Sequence, residues 1–351
     1  MYIRRVLTLA VAVAALAGTP VIVARQANEG ESRRDRERRS QQEQRDTQAL
    51  VQMVDAVSEG TQAAPTDIGV QWEANHFIKG ADGATYIPFS LAIDTATFAV
   101  PNAALYVRAV SKNATAPAAE QNDRDRGRKP PAVEYPWDDV NFIEVAPDGR
   151  LSRAMLLAPG DYEVFVAVSE RSPLEPERNQ PPAKAGLVRR DLIVPDFSGA
   201  DLTISSVFIG DIQEVTTPLT PEEQEESPYT LGSMRVVPST DFKLKMSGEL
   251  QVLFWIYGAQ QTDGKPDVQV EYSFHRKTAE GEAYFNKTAP QVLNASTLPP
   301  QFDLAAGHQL PGSIVIPLAS FQAAEYRLEI TLTDKVSGKT LIHNATFTVE
   351  A

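Results

Sequence analysis

The chain has 351 residues, 42% of them hydrophobic and 23% charged, which places it among globular proteins and allows two modest domains. A formal charge of −13 argues against a nucleic-acid partner, because neutralising phosphates needs a basic surplus. With no cysteine, disulfides, thiolate zinc sites, iron–sulfur clusters and thiol nucleophiles are excluded.

Residues 1–24 read as an export signal. Arg4 and Arg5 supply a positive start, Val6 to Ala17 is apolar, and Ala15-Leu16-Ala17 offers the small-x-small pattern, so cleavage is expected after Ala17. The alternative is an uncleaved anchor from Val6 to Ala24, 19 residues and just within the length of a membrane span. The expected location is periplasmic or extracellular, with membrane contact only through that segment. Residues 25–62 then read as a charged low-complexity tether passing into a short amphipathic helix. Six acidic and six basic residues fall between Glu29 and Asp46, and Leu50, Met53, Val54 and Val57 recur at helical spacing.

From Ile68 onward, short alternating or apolar runs are separated by Gly, Pro, Asn and Asp clusters, the pattern of an all-β chain. These runs repeat. Asp161 to Glu170 (DYEVFVAVSE) matches Glu325 to Asp334 (EYRLEITLTD) at an offset of 164 residues, with Tyr and three aliphatics at alternate places. The same offset lays Tyr86 to Asp94 on Leu250 to Gly258, and nearly lays Ala103 to Lys112 on Asp267 to Lys277. Each copy also has a strand before its Tyr segment and a last strand after it. The spacing therefore predicts two tandem immunoglobulin- or fibronectin-like β-sandwiches, residues 63–197 and 198–351. Tyr162 and Tyr326 open the penultimate strands, where such sandwiches place a tyrosine whose hydroxyl bonds the preceding loop. Between the copies, Glu222, Glu223, Glu225 and Glu226 form an acidic run without the spaced ligands of a calcium loop, and read as a solvated loop.

The stretches LTISSVFIGD, GELQVLFWIYG, LPPQFDLAAGH and EYRLEITLTDKVSGKTL, and more loosely IPFSLAID and LLAPGDYEVFVAVSE, resemble the C-terminal sandwich region of exported acidobacterial-type proteins. Those proteins carry von Willebrand-A-related or GWxTD domains upstream. The resemblance implies a secreted bacterial tandem β-sandwich of unassigned role and transfers no catalytic residue.

Chemistry-bearing patterns are sparse. His76, His275, His308 and His343 stand in unrelated segments without metal-ligand spacing, and no cofactor, metal site or enzymatic activity is expected. Two aromatic groups are the binding candidates. Tyr135 and Trp137 flank Asp138-Asp139, whose adjacent carboxylates point to opposite faces of a strand and so cannot form a dyad. Trp255 and Tyr257 end a run, Val252 to Tyr257, that is apolar on both faces. They form an exposed platform, or they are buried by residues 199–247 or by the other domain. In the first copy, the connections Asn113–Pro136 and Glu170–Gly186 are long and proline-rich, as recognition loops are. The expected role is a non-catalytic extracytoplasmic binding or assembly module, its partner a protein or an envelope polysaccharide. The competing expectation is a glycosidase-like hydrolase with dispersed carboxylates.

Overall fold

A computed structural model of the chain describes residues 33–98, 101–113, 134–176 and 180–351. The segment expected to be an export signal, most of the Asn113–Pro136 connection and residues 177–179 lie outside the described residues. The chain divides into two compact units. Of the described residues, the first takes those up to Asn75 together with Ala84–Asp196; the second takes His76–Gly83 and Phe197–Ala351.

In the first unit, β1 (Val70–Asn75), β2 (Thr85–Ile93) and β5 (Arg150–Leu157) form one sheet, with β2 in the middle. β3 (Asn102–Ser111), β4 (Trp137–Glu144), β6 (Gly160–Glu170) and β7 (Ala185–Val194) form the other, in the order β4-β3-β6-β7. All these pairs are antiparallel, the arrangement of an immunoglobulin-like sandwich whose fourth strand joins the second sheet.

Strands β3 and β6 are buried on both faces, because Ala104, Tyr106, Phe165 and Ala167 are apolar where a two-layer sandwich expects polar residues. The helix α1 (Arg33–Ser58) covers that second face with Leu50, Val54 and Val57, an i, i+4, i+7 stripe. The expectation of a charged tether leading into only a short helix is thereby corrected. Arg, Glu and Gln are good helix formers, and no Gly or Pro interrupts them between Glu31 and Ser58, so the helix extends back through the charged tract. Asp46, near its middle, is 4% exposed and bonds Arg171.

The second unit repeats the design. β8 (Phe208–Glu214), β11 (Glu249–Tyr257) and β14 (Leu310–Pro317) form one sheet, extended by β9 (Met234–Pro238). β12 (Val268–Thr278), β13 (Gly281–Lys287), β15 (Ala324–Asp334) and β16 (Thr340–Glu350) form the other. β10 (Lys243–Lys245) adds a parallel strand to the end of β16. Here β12 and β15 alternate cleanly between buried and wetter positions, so the outer face of this sheet needs no helix. Between the layers Phe274, Phe321, Tyr326 and Phe347 pack edge-on or stacked, at centroid distances of 5.1 to 6.3 Å. Gly312 leaves room for the Phe254 ring: a Cβ there would lie 2.3 Å from that ring's tip.

Tyr162 and Tyr326 open the equivalent strands β6 and β15. Tyr162 donates to the Ala158 carbonyl at 2.9 Å, and Tyr326 to that of Gln322 at 3.0 Å, each four residues upstream. The Gln322 N–H in turn donates to the Tyr326 hydroxyl at 3.0 Å. Tyr326→Phe is therefore expected to cost the second unit about 1–2 kcal/mol, because two backbone groups lose their partner while the ring still packs. Chemical denaturation measures this, and an unchanged midpoint would remove the hydroxyl from the account of the fold.

The acidic run is also corrected. Residues Pro221–Glu226 form a short helix, α2, not a loop. Thr220 caps it by accepting from Glu223 N at 3.2 Å, while the Glu223 carboxylate accepts from Thr220 N at 2.8 Å. This reciprocal pair satisfies two backbone groups that a helix start would otherwise leave open.

Candidate functional site

Sequence-expected residues converge at one place, the outer face of the first unit's β4-β3-β6-β7 sheet. Cross-strand register sets Arg108 on β3 opposite Asp138 on β4, and Ala109 opposite Trp137. Arg108 is 3% exposed, yet it is fully surrounded by partners. Its Nη1 donates to Asp55 of α1 at 2.5 Å, and its Nε donates to the Tyr106 hydroxyl at 2.6 Å. The Tyr106 hydroxyl donates in turn to Asp138. The half-buried Tyr135 ring lies 4.0 Å from the guanidinium carbon, a cation–π contact of the kind that strengthens with desolvation.

Burial and the bond to Asp138 hold the Tyr106 phenol well above its ordinary range, with Arg108 pulling the other way. Burial lowers the Arg108 pKa, but Asp55 and the two phenols outweigh it, and the net shift is upward. A catalytic tyrosine needs its pKa drawn toward neutrality, which is the opposite direction. The cluster binds a helix to a sheet. Asp139 faces away from it and accepts from Asn141 at 2.6 Å, as expected of adjacent strand residues.

The other aromatic pair is not exposed. Trp255 and Tyr257 are 3% and 6% accessible, so the platform reading is corrected in favour of burial. Trp255 meets Phe208 edge-on at 5.9 Å, and its backbone exchanges bonds with Ser205, whose Oγ accepts from Trp255 N and whose N donates to Trp255 O, both at 2.9 Å. Tyr257 packs on Phe197 at 5.0 Å, and its hydroxyl accepts from Lys79 N at 3.1 Å. Lys79 belongs to His76–Gly83, a strap of the second unit. Its Phe77 exchanges bonds with Ser206, and its His76 stacks on Phe208 at 4.4 Å with Nδ1 3.2 Å from the Tyr229 hydroxyl. The sequence carried no local signal for this strap, which interrupts the expected contiguous domain 63–197.

The remaining candidates serve the fold. His308 accepts from Asp303 N at 2.9 Å within one loop, and His275 meets Tyr284 edge-on at 6.0 Å. Among the described residues no group of three His, Cys, Asp or Glu is placed to hold a metal. Of the two long connections, the described start of Glu170–Gly186 docks on α1. Arg171 pairs with Asp46 at 2.7 Å, and Arg45 donates to Pro173 O at 2.9 Å. No helix among the described residues is long and apolar enough to cross a membrane.

No protein-family model matches the sequence, and no curated protein matches it. Among solved structures the chain is similar to an immunoglobulin-like protein from Pseudomonas aeruginosa, at 12% identity and a TM-score of 0.23, covering 44% of this chain and 99% of that one. It is also similar to trypsin-activated α2-macroglobulin from Escherichia coli, at 11% identity and a TM-score of 0.22, over 82% of this chain. A DUF4785 family protein from Legionella pneumophila gives 6% identity and a TM-score of 0.24, over 80% of this chain. The chain spans 17% of the macroglobulin and 56% of the Legionella protein. Likenesses of this size carry no functional argument. The class, a tandem of immunoglobulin-like β-sandwiches, rests on the strand pairing itself.

Proposed function

We propose that this chain is an exported, non-catalytic binding or assembly module, related to the sandwich regions that accompany von Willebrand-A-related or GWxTD domains. The observation that carries the reading is the Arg108 cluster. Where aromatic, acidic and basic candidates meet, they anchor α1, and the Tyr106 phenol is pushed away from reactivity. What remains for function is the surface of two rigid sandwiches, a scaffold that suits presentation of edges and loops to a partner protein or an envelope polysaccharide.

The test immobilises the chain and measures saturable retention of envelope proteins and polysaccharides at increasing salt. Retention of one component without turnover is the expected result. Polysaccharide cleavage that disappears in Asp138→Asn or Asp139→Asn would overturn the reading and establish the hydrolase instead.

A further inference from the structure

The two units can be compared residue by residue, because Tyr162 pairs with Leu192 and Tyr326 with Phe347. Ile193 and Val194 of β7 therefore correspond to Thr348 and Val349 of β16. In the second unit this stretch of the edge is occupied: Lys243 lies beside Thr348 and Leu244 beside Val349, in parallel. Thr348 N donates to Phe242 O, and Met246 N to Glu350 O, both at 2.8 Å. Leu244 turns inward onto the core, while Lys243 pairs outward with Glu350 at 3.6 Å.

The 164-residue offset names the segment of the first copy that would do the same, Lys79 to Ala81. It lies in His76–Gly83, which belongs to the second unit. At the matching edge of the first unit the Pro195 carbonyl, which corresponds to that of Glu350, accepts from Thr85 Oγ1 at 2.8 Å, and the stretch before it carries no added strand among the described residues. Near its start β7 is pinned by Ile68 N to Ala185 O and by Leu187 N to Pro65 O, both 3.1 Å, which fixes the odd-numbered residues as those whose backbone faces outward. Beyond that pin Arg189, Asp191 and Ile193 have no backbone partner on that side among the described residues. Ile193 is 78% exposed. Arg189 and Asp191 carry charges, paired with Glu163 at 3.5 Å and Lys112 at 2.7 Å, and such charges keep an open edge soluble.

We propose that the outer edge of β7, from Arg189 to Ile193, is a strand-acceptor site that takes an extended charged–aliphatic–charged segment of a partner protein. The second unit supplies the template for the chemistry: Lys243-Leu244-Lys245 is such a segment, held by backbone bonds with one aliphatic side chain turned inward. Outward N–H and C=O groups give affinity without a pocket. The inference rests on the binding-module reading and specifies its surface.

The probe is a synthetic peptide with the sequence of Asp241 to Ser247, added to the full chain and followed by hydrogen exchange. The expected result is slowed exchange at the amides of Arg189, Asp191 and Ile193. Ile193→Pro removes one outward N–H that the fold does not use, so it leaves the strand in place and is expected to weaken binding about tenfold. No protection at these amides, protection confined to the Thr348 edge, or equal affinity in Ile193→Pro overturns the proposal. Protection that rises with protein concentration without peptide would make a second copy the occupant, and also overturns it. If the peptide protects the edge while the immobilised chain retains no envelope component, the module reading fails and the acceptor chemistry stands. If the peptide fails while retention is found, only the edge assignment falls.

Discussion

Asp46→Ala is expected to destabilise the first unit by about 3–5 kcal/mol, as loss of one partner of a buried ion pair does. Asp46 sits at 4% exposure, with Oδ2 accepting from Arg171 Nε at 2.7 Å and Oδ1 from Ser172 N at 3.0 Å. Its removal leaves a half-buried guanidinium, 4.1 Å from the Phe142 ring, without its counter-charge, and a backbone N–H without an acceptor. Asp46→Asn keeps an acceptor and should cost less. The exposed pair Arg38–Glu175, at 2.7 Å, is the control: Arg38→Ala should change stability by less than about 1 kcal/mol. Denaturant unfolding followed by helical circular dichroism measures all three. Equal effects from Asp46→Ala and Arg38→Ala would mean that α1 is held by its apolar stripe alone.

The second unit is expected to lose about 3 kcal/mol between pH 6.5 and pH 4, through His76. Burial against Phe208 and Tyr229 lowers this histidine from 6.5 to about 4. Within that window the unfolded chain binds a proton that the folded unit refuses, so stability is full above pH 6.5, falls as pH drops, and levels off below about pH 4. In a Trp72→Phe, Trp137→Phe background, Trp255 fluorescence reports this unit alone. His76→Phe keeps the ring stack and should flatten the profile over this window. A wild-type profile already flat, or a slope unchanged in His76→Phe, would remove His76 as its source.

Much of the fold was legible because its signals are local. The alternation around Tyr162 and Tyr326 has the two-residue period of a half-buried strand, and Pro159-Gly160 turns the chain just before the first tyrosine. The matched strands β2 with β11, and β6 with β15, stand at the offset the repeat predicted. Two local signals were readable but passed over. Thr220-Pro221-Glu222-Glu223 is a capping box, obscured by the charge of the run that follows. The Arg-, Glu- and Gln-rich tract has helix propensity throughout, obscured by its low complexity.

The candidate sites were less legible, because a two-faced apolar strand says that both faces are covered but not by what. Val252 to Tyr257 and Asn102 to Ser111 carry the same kind of pattern, yet their covers differ. One is capped by Phe197, Phe208 and a strap from residues 76–83, the other by a helix from the opposite end of its unit's sequence. Tyr135 next to Asp138 looked like a ligand platform until Arg108 and Asp55, far apart in the chain, closed around them.

By itself the amino-acid sequence determined the β-sandwich class, the duplication and the two tyrosines that bond the loop before their strands, since each depends on residues a few positions apart. Only the tertiary structure decided that His76–Gly83 joins the second unit, that α1 seals a sheet face, and that the β7 edge stays open at Ile193. Those outcomes turn on which of several distant surfaces buries the most apolar area while satisfying backbone and charge, a competition between segments that the periodicity of any one segment does not encode.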